Sequence, residues 1–185
     1  VMGAKGNEVT MKMYGVKLFK EKFYFPLKSA RQFMFEQNEV SGEVRIKNSG
    51  FTNKTVAKNT SVCIYMNGNT IDAGEVNRVF YVSGTLSVMG EGTVKGYGRN
   101  KSMSSTSDRY GGTVHISASG TFNLYDATIT SEKLTDSKAS NGGNINIFGT
   151  FNMYSGTVSD GYASNCGGNI FVNPDGIFNM YGGSI

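Results

Sequence analysis

Gly149-Thr150-Phe151-Asn152-Met153-Tyr154-Ser155-Gly156-Thr157-Val158 decides the fold of this chain, because it recurs. One unit upstream stands Gly120-Thr121-Phe122-Asn123-Leu124-Tyr125-Asp126-Ala127-Thr128-Ile129. One unit downstream stands Gly176-Ile177-Phe178-Asn179-Met180-Tyr181-Gly182-Gly183-Ser184-Ile185. These three align without a gap, and a related stretch from Gly84 to Val94 carries one extra residue. Ahead of each lies a short alternating segment: Phe80 to Val82, Val114 to Ile116, Ile145 to Ile147 and Ile170 to Val172. Two of these follow Gly-Gly-Asn directly, at Gly142-Gly143-Asn144 and Gly167-Gly168-Asn169, and a third follows Gly111-Gly112-Thr113.

Each unit therefore holds three very short strands parted by Gly or Asn corners. Alternation with a period of two puts Ile145, Ile147, Phe151, Met153 and Val158 on one side, and Asn146, Asn152 and Tyr154 on the other. Strands this short cannot bury an apolar face alone, whereas stacked units can. Equivalent residues in equivalent places favour parallel, in-register stacking with coils about 4.8 Å apart. The expected fold class is all-β: a parallel β-helix, or solenoid, with three short strands per coil and a non-repeating N-terminal segment. Phe122, Phe151 and Phe178 would stack in the bore, followed by Leu124, Met153 and Met180. Outside would run Asn123, Asn152 and Asn179, with Tyr125, Tyr154 and Tyr181 beside them. Asn ladders hydrogen-bond from rung to rung, and stacked aromatics cover apolar area.

Further out the pattern loosens. Val62 to Ile71 resembles a strand, a corner and a short strand, and Gly42 to Lys47 reads as a strand. The expected division is residues 1–40 as an N-terminal strand-rich segment or cap and 41–185 as β-helix. Ile185 closes a third strand in mid-repeat, so the helix is expected to be truncated at its C-terminal end and to self-associate there. The first residue is Val1, so the natural N-terminus is expected to be missing. Connections from a third strand to the next coil run from Lys95 to Thr113, Thr130 to Asn144 and Ser159 to Asn169. Insertions in a solenoid fall on one side, so these loops should form one wall of a groove.

Composition agrees with many short strands and tight turns. The 185 residues include 25 Gly and only 2 Pro, and 17% are charged, which argues against a solvated disordered tail. No apolar run approaches the ~18 residues of a membrane span, and no signal peptide can be read. The net charge of +4 is N-terminal: up to Lys47 there are nine Lys/Arg against five Asp/Glu, and beyond it nine against nine. Lys17, Lys20, Lys22 and Lys28 interleave with Phe19, Phe23, Tyr24 and Phe25, which reads as an amphipathic hairpin with solvated lysines rather than a nucleic-acid surface.

Chemistry-bearing residues are sparse. Cys63 and Cys166 lie far apart without metal-ligand spacing, so neither a disulfide framework nor a zinc site is expected. His115 is the single histidine, and its place between Val114 and Ile116 points it outward on a strand. Asp126 falls level with Ser155 and Gly182, so no acidic ladder forms, and Asp72, Asp160 and Asp175 sit at different corners. The best mixed-charge cluster is Asp108 and Arg109 with Arg99 and Lys101 in the longest loop, whose ordinary reading is a solvated polar loop. No catalytic constellation, cofactor or metal is expected. The residues singled out for ligand contact are Asn123, Tyr125, Asn152, Tyr154, Asn179 and Tyr181, together with Arg99, Lys101, Asp108 and Arg109. Amides hydrogen-bond hydroxyls and a Tyr face stacks on a pyranose ring, although the same ladders stabilise a coil with nothing bound. Asn53, Asn59 and Asn100 head Asn-x-Ser/Thr patterns, which an Asn-rich chain generates by chance.

On Met66 to Ile71, Val82 to Leu86, Gly90 to Val94 and the Gly-Gly-Asn-Ile and Gly-Thr-Phe-Asn-Met-Tyr units, the sequence resembles right-handed parallel β-helix repeats of pectin-lyase-like proteins. The likeness runs from about Thr60 to Ile185 and is nearest to bacterial surface or secreted repeat proteins. It implies a right-handed coil, an extracellular or cell-surface location, and adhesion or glycan binding, with polysaccharide or a cell-surface glycan as partner alongside further coils of the same chain. The alternative it implies is a non-catalytic fragment of a polysaccharide lyase or glycoside hydrolase. The enzymes of that group use clustered acids with a basic residue or Ca²⁺ on an outer face.

Overall fold

The computed structural model describes residues 54–73, 78–97, 110–131 and 139–185, together with the backbone of residues 8–9, 25–26, 32–33 and 46–47. In the N-terminal part, β1 (Glu8–Val9) pairs antiparallel with β4 (Ile46–Lys47), and β2 (Phe25–Pro26) with β3 (Gln32–Phe33). The lysines from Lys17 to Lys28 that were read as a hairpin face lie outside the described residues.

From Lys54 onward the chain winds as a right-handed parallel β-helix. The first coil is β5 (Lys54–Val56), β6 (Ser61–Tyr65) and β7 (Thr70–Asp72). The second is β8 (Phe80–Val82), β9 (Thr85–Met89) and β10 (Thr93–Gly96). The third is β11 (Val114–Ile116), β12 (Thr121–Tyr125) and β13 (Thr128–Ser131). In the fourth, β14 (Ala139–Asn141) precedes β15 (Ile145–Ile147), β16 (Thr150–Met153) and β17 (Thr157–Ser159). The last begins with β18 (Ala163–Cys166) and continues through β19 (Ile170–Val172) and β20 (Ile177–Met180).

Three parallel sheets result, ordered β5-β8-β11-β15-β19, β6-β9-β12-β16-β20 and β7-β10-β13-β17. The register is that of the repeat: Phe122 pairs with Phe151 and Phe151 with Phe178, while Asn123, Asn152 and Asn179 share the next row. Phe rings stack in the bore, Phe122 on Phe151 at 5.2 Å between centroids and Phe151 on Phe178 at 5.0 Å. Leu86, Val88, Leu124 and Met153 complete the second sheet's inner face, and Val94, Ile129 and Val158 the third's. Ile116 and Ile147 fill the first.

The corners explain the Gly-Gly-Asn signature. Gly111, Gly142 and Gly167 all hold φ between 63° and 67°, a left-handed conformation that disfavours any Cβ. A Cβ on Gly143 would collide with the Gly168 carbonyl of the next coil and the Tyr162 amide. Behind these glycines the Asn side chain turns inward. Asn144 is fully buried and donates from Nδ2 to the Ser159 carbonyl at 2.6 Å and to Asn169 Oδ1 at 2.9 Å. It thereby ties the corner to the end of the third strand of its own coil and to the corner above. In the third coil Thr113 reaches the Thr130 carbonyl of its own coil at 2.6 Å in the same manner.

The connections differ from simple loops where they are described. β14 and β18 form a fourth, two-stranded parallel sheet, extended by a bridge from Tyr110 to Asn141. Its signal is the pair Ala139-Ser140-Asn141 and Ala163-Ser164-Asn165, each shortly before Gly-Gly-Asn. Asn165 Nδ2 donates to Asn141 Oδ1 at 3.0 Å. The second copy carries one extra residue, Cys166, so that Asn141 pairs with Cys166 and the register slips.

Candidate functional site: the outer ladders and the buried outer face

The outward side of the second sheet carries two continuous rows. The first is Cys63, Ser87, Asn123, Asn152 and Asn179, in register from coil to coil. Its amides chain together: Asn179 Nδ2 donates to Asn152 Oδ1 and Asn152 Nδ2 to Asn123 Oδ1, both at 2.9 Å. Asn123 Nδ2 then donates to Ser87 Oγ at 3.1 Å, and below it Cys63 Sγ meets Met89 Sδ at 3.3 Å. An amide offers two N–H groups and two carbonyl lone pairs. Each interior Asn spends one of each on the ladder and keeps one of each for an outside partner.

The second row is Tyr125, Tyr154 and Tyr181. Tyr125 stacks on Tyr154 at 4.5 Å and 3°, and Tyr154 on Tyr181 at 5.0 Å and 12°. Burial, followed by the neighbouring Tyr154 hydroxyl, raises the Tyr125 phenol above its ordinary 10. This geometry limits what the interior rings can contact. Rings stacked this closely cover each other's faces, so a pyranose cannot lie on an interior tyrosine. Exposure rises along the row, to 40% at Tyr154 and 66% at Tyr181.

The first sheet's outward side is covered rather than open. Alternation does place His115 and Asn146 away from the bore, but both are buried: His115 is 4% exposed and Asn146 0%. The cover is aromatic. Tyr81 stacks on His115 at 4.8 Å and Phe148 tilts against it at 5.5 Å, with Tyr110 edge-on to Phe148. Arg78 places its guanidinium 6.0 Å above the Tyr81 ring. Burial first, then the Arg78 charge, lower the His115 pKa from 6.5 to about 4, against a hydrogen bond to the Tyr110 backbone that works the other way. His115 Nδ1 and Asn146 Nδ2 are buried without a hydrogen-bond partner, and with its pKa lowered to about 4 the imidazole is neutral at pH 7.

A testable pH dependence follows. A histidine whose folded pKa lies below its unfolded value binds its proton more readily in the unfolded chain. Its stabilising contribution is complete above pH 6.5, declines as the pH falls towards 4, and changes little below that. A fall from 6.5 to about 4 corresponds to at most about 3 kcal/mol. His115→Gln should flatten the slope of unfolding free energy between pH 6.5 and 5, a window in which this single histidine is the titrating side chain. Denaturant titrations at pH 7, 6 and 5 read this out, and an unchanged slope in the variant would sink the assignment.

Other polar groups do not converge. Asp72 accepts from the Tyr97 hydroxyl at 2.9 Å, with Lys95 above that ring at 5.2 Å. Burial, then the bond to Asp72, raises the Tyr97 pKa. Asp126 has φ 62° and donates its backbone N–H to Ser155 Oγ. Among the described residues no group of three His, Cys, Asp or Glu is placed to hold a metal ion, and both cysteines are free. No helix among those residues is long and apolar enough to cross a membrane. Arg99, Lys101, Asp108 and Arg109 lie outside the described residues. Comparison with known proteins gives no match to a family model, to a curated protein or to a solved structure.

Proposed function

We propose that the chain is a β-helical structural module of adhesin-like type, displayed outside the cell, whose second-sheet outer face contacts the hydroxyls of a polysaccharide or cell-surface glycan. The observation that carries this reading is the Asn123–Asn152–Asn179 row, in which the interior amides retain a donor and an acceptor at every coil. Sugar hydroxyls donate and accept at once, so a row of such paired groups suits a repeating chain of them. Because stacking uses up the interior tyrosine faces, recognition along the row is by hydrogen bonding. The three-sheet coil is the architecture that the likeness to pectin-lyase-like repeats implies. That likeness supports an extracellular or cell-surface location.

The test is retention on a panel of immobilised polysaccharides, comparing the chain with its Asn152→Ala, Tyr154→Ala double variant. Retention of the parent on at least one polymer should fall about tenfold or more in the variant, with the far-UV circular dichroism spectrum preserved. If the parent is retained by none, glycan contact is wrong and the module is a spacer.

A further inference from the structure

The second sheet's outward side is uncharged, and its borders are acidic. Beside the amide row runs a hydroxyl row, Ser61, Thr85, Thr121 and Thr150, in register from coil to coil. The strands alternate, with Leu86, Val88, Phe122 and Leu124 turned to the bore and buried. With the tyrosine row on the other flank, every outward position of that sheet from β6 to β20 is a hydroxyl, amide, sulfur, aromatic or aliphatic group.

The corners that bound this sheet all lie among the described residues. On the side of the third sheet, the charged residues are Glu91 and Asp126, both exposed, on the neighbouring coils that β9 and β12 join. Asp126 directly follows Tyr125, and its backbone N–H is held by Ser155 Oγ, which sets it beside the tyrosine row. On the side of the first sheet they are Lys58, in the first coil, and Asp175, in the fifth. A polymer on this face therefore meets carboxylates at both borders and a single ammonium.

Hydroxyls and carboxylates fit the amide row differently. Each interior Asn keeps one N–H and one carbonyl lone pair once the ladder bonds are made. A sugar hydroxyl donates and accepts, and so fills both. An ionised carboxylate only accepts, so it satisfies the N–H and sets its charge against the carbonyl oxygen. Sites for polyanions supply guanidinium or ammonium groups for that reason. Repulsion from the border carboxylates, felt over about 10 Å in about 0.1 M salt, accumulates along a chain with a charge on every ring.

Resting on the reading that this face contacts glycan, we propose that it takes a neutral polysaccharide, whose rings carry hydroxyls alone. Glu91 and Asp126 are then specificity-determining residues that turn uronate polymers away, acting through charge from the border rather than by a bond to the polymer.

The test uses immobilised polymers in matched pairs: a β-mannan with the β-mannuronan of the same linkage, and a β-glucan with the corresponding β-glucuronan. Only the exocyclic hydroxymethyl or carboxylate differs within a pair. In about 0.01 M salt, where charge reaches about 30 Å, the neutral member of at least one pair should retain the chain about tenfold or more over its acidic partner. The Glu91→Gln, Asp126→Asn double variant should narrow that ratio about threefold or more, with its far-UV spectrum preserved. Both changes keep the side-chain shape at exposed corners, and Asn tolerates the left-handed backbone of Asp126. Equal or stronger retention on acidic polymers overturns the neutral class and leaves glycan contact standing. An unchanged ratio in the double variant overturns the role given to the two carboxylates. Retention on no polymer at all overturns glycan contact, and the neutral class with it.

Discussion

Phe151→Ala should lower the unfolding free energy by about 4 kcal/mol, measured by denaturant titration. Phe151 is fully buried with a ring stacked on either face, 5.2 Å from Phe122 and 5.0 Å from Phe178. Truncation removes the transfer energy of the ring and leaves a void between two rigid coils whose spacing is set by the backbone hydrogen bonds. Such a site cannot collapse, which places it towards the upper part of the range for aromatic deletions. Phe178→Ala makes the comparison: the same residue type in the same row, but only part-buried, should cost about 2 kcal/mol. Equal losses at the two positions would mean that burial between coils is not what the row contributes.

The second large effect is expected at Asn144, at the corner. Asn144→Leu keeps the volume and removes both donors, leaving the Ser159 carbonyl without its 2.6 Å bond and the corner untied from Asn169. Asn169 Oδ1 still accepts from the Gly161 N–H at 2.8 Å, so one acceptor rather than two is stranded. A loss of about 3 kcal/mol follows from a part-buried unsatisfied carbonyl together with the lost bonds of a fully buried amide. Asn152→Leu on the outer ladder should cost about 1 kcal/mol, because that row is half-exposed and water replaces what is removed. A larger loss at Asn152 than at Asn144 would reverse the roles assigned here to corner and ladder.

Most of the coil is legible in the sequence. Phe122, Phe151 and Phe178, with the Asn and Tyr that follow them, are spaced so that one register satisfies all three rows at once. The alternative registers set Phe against Asn. The shape of the corners is legible for a related reason, since Gly-Gly-Asn recurs where the backbone must take a left-handed turn. In the third coil Ala127 stands where the others have Gly, and the left-handed conformation passes to Asp126 instead. Residue type alone would have assigned that turn to the wrong position.

The candidate site is legible in position and not in character. Alternation reports which side of a strand a residue occupies, and nothing about what lies over it. His115 and Asn146 are correctly placed away from the bore, yet Tyr81, Phe148 and their neighbours bury them. The short β14–β18 sheet went unseen because an extra residue, Cys166, breaks the match between its two Ala-Ser-Asn segments. Asn144 and Asn169 read as turn residues, whereas their side chains cross the corner and hold two coils together.

The sequence by itself determined the repeat, the parallel register and the contents of each row, because stacked coils bring equivalent residues together and only one register pairs like with like. The tertiary structure decided which outward residues are covered, that the tyrosines meet face to face, and in which direction the amide row runs. Each of these depends on contacts between coils and on packing across an outer face. A one-dimensional pattern records the spacing of residues along the chain and carries neither the ring orientation nor the polarity of a hydrogen bond.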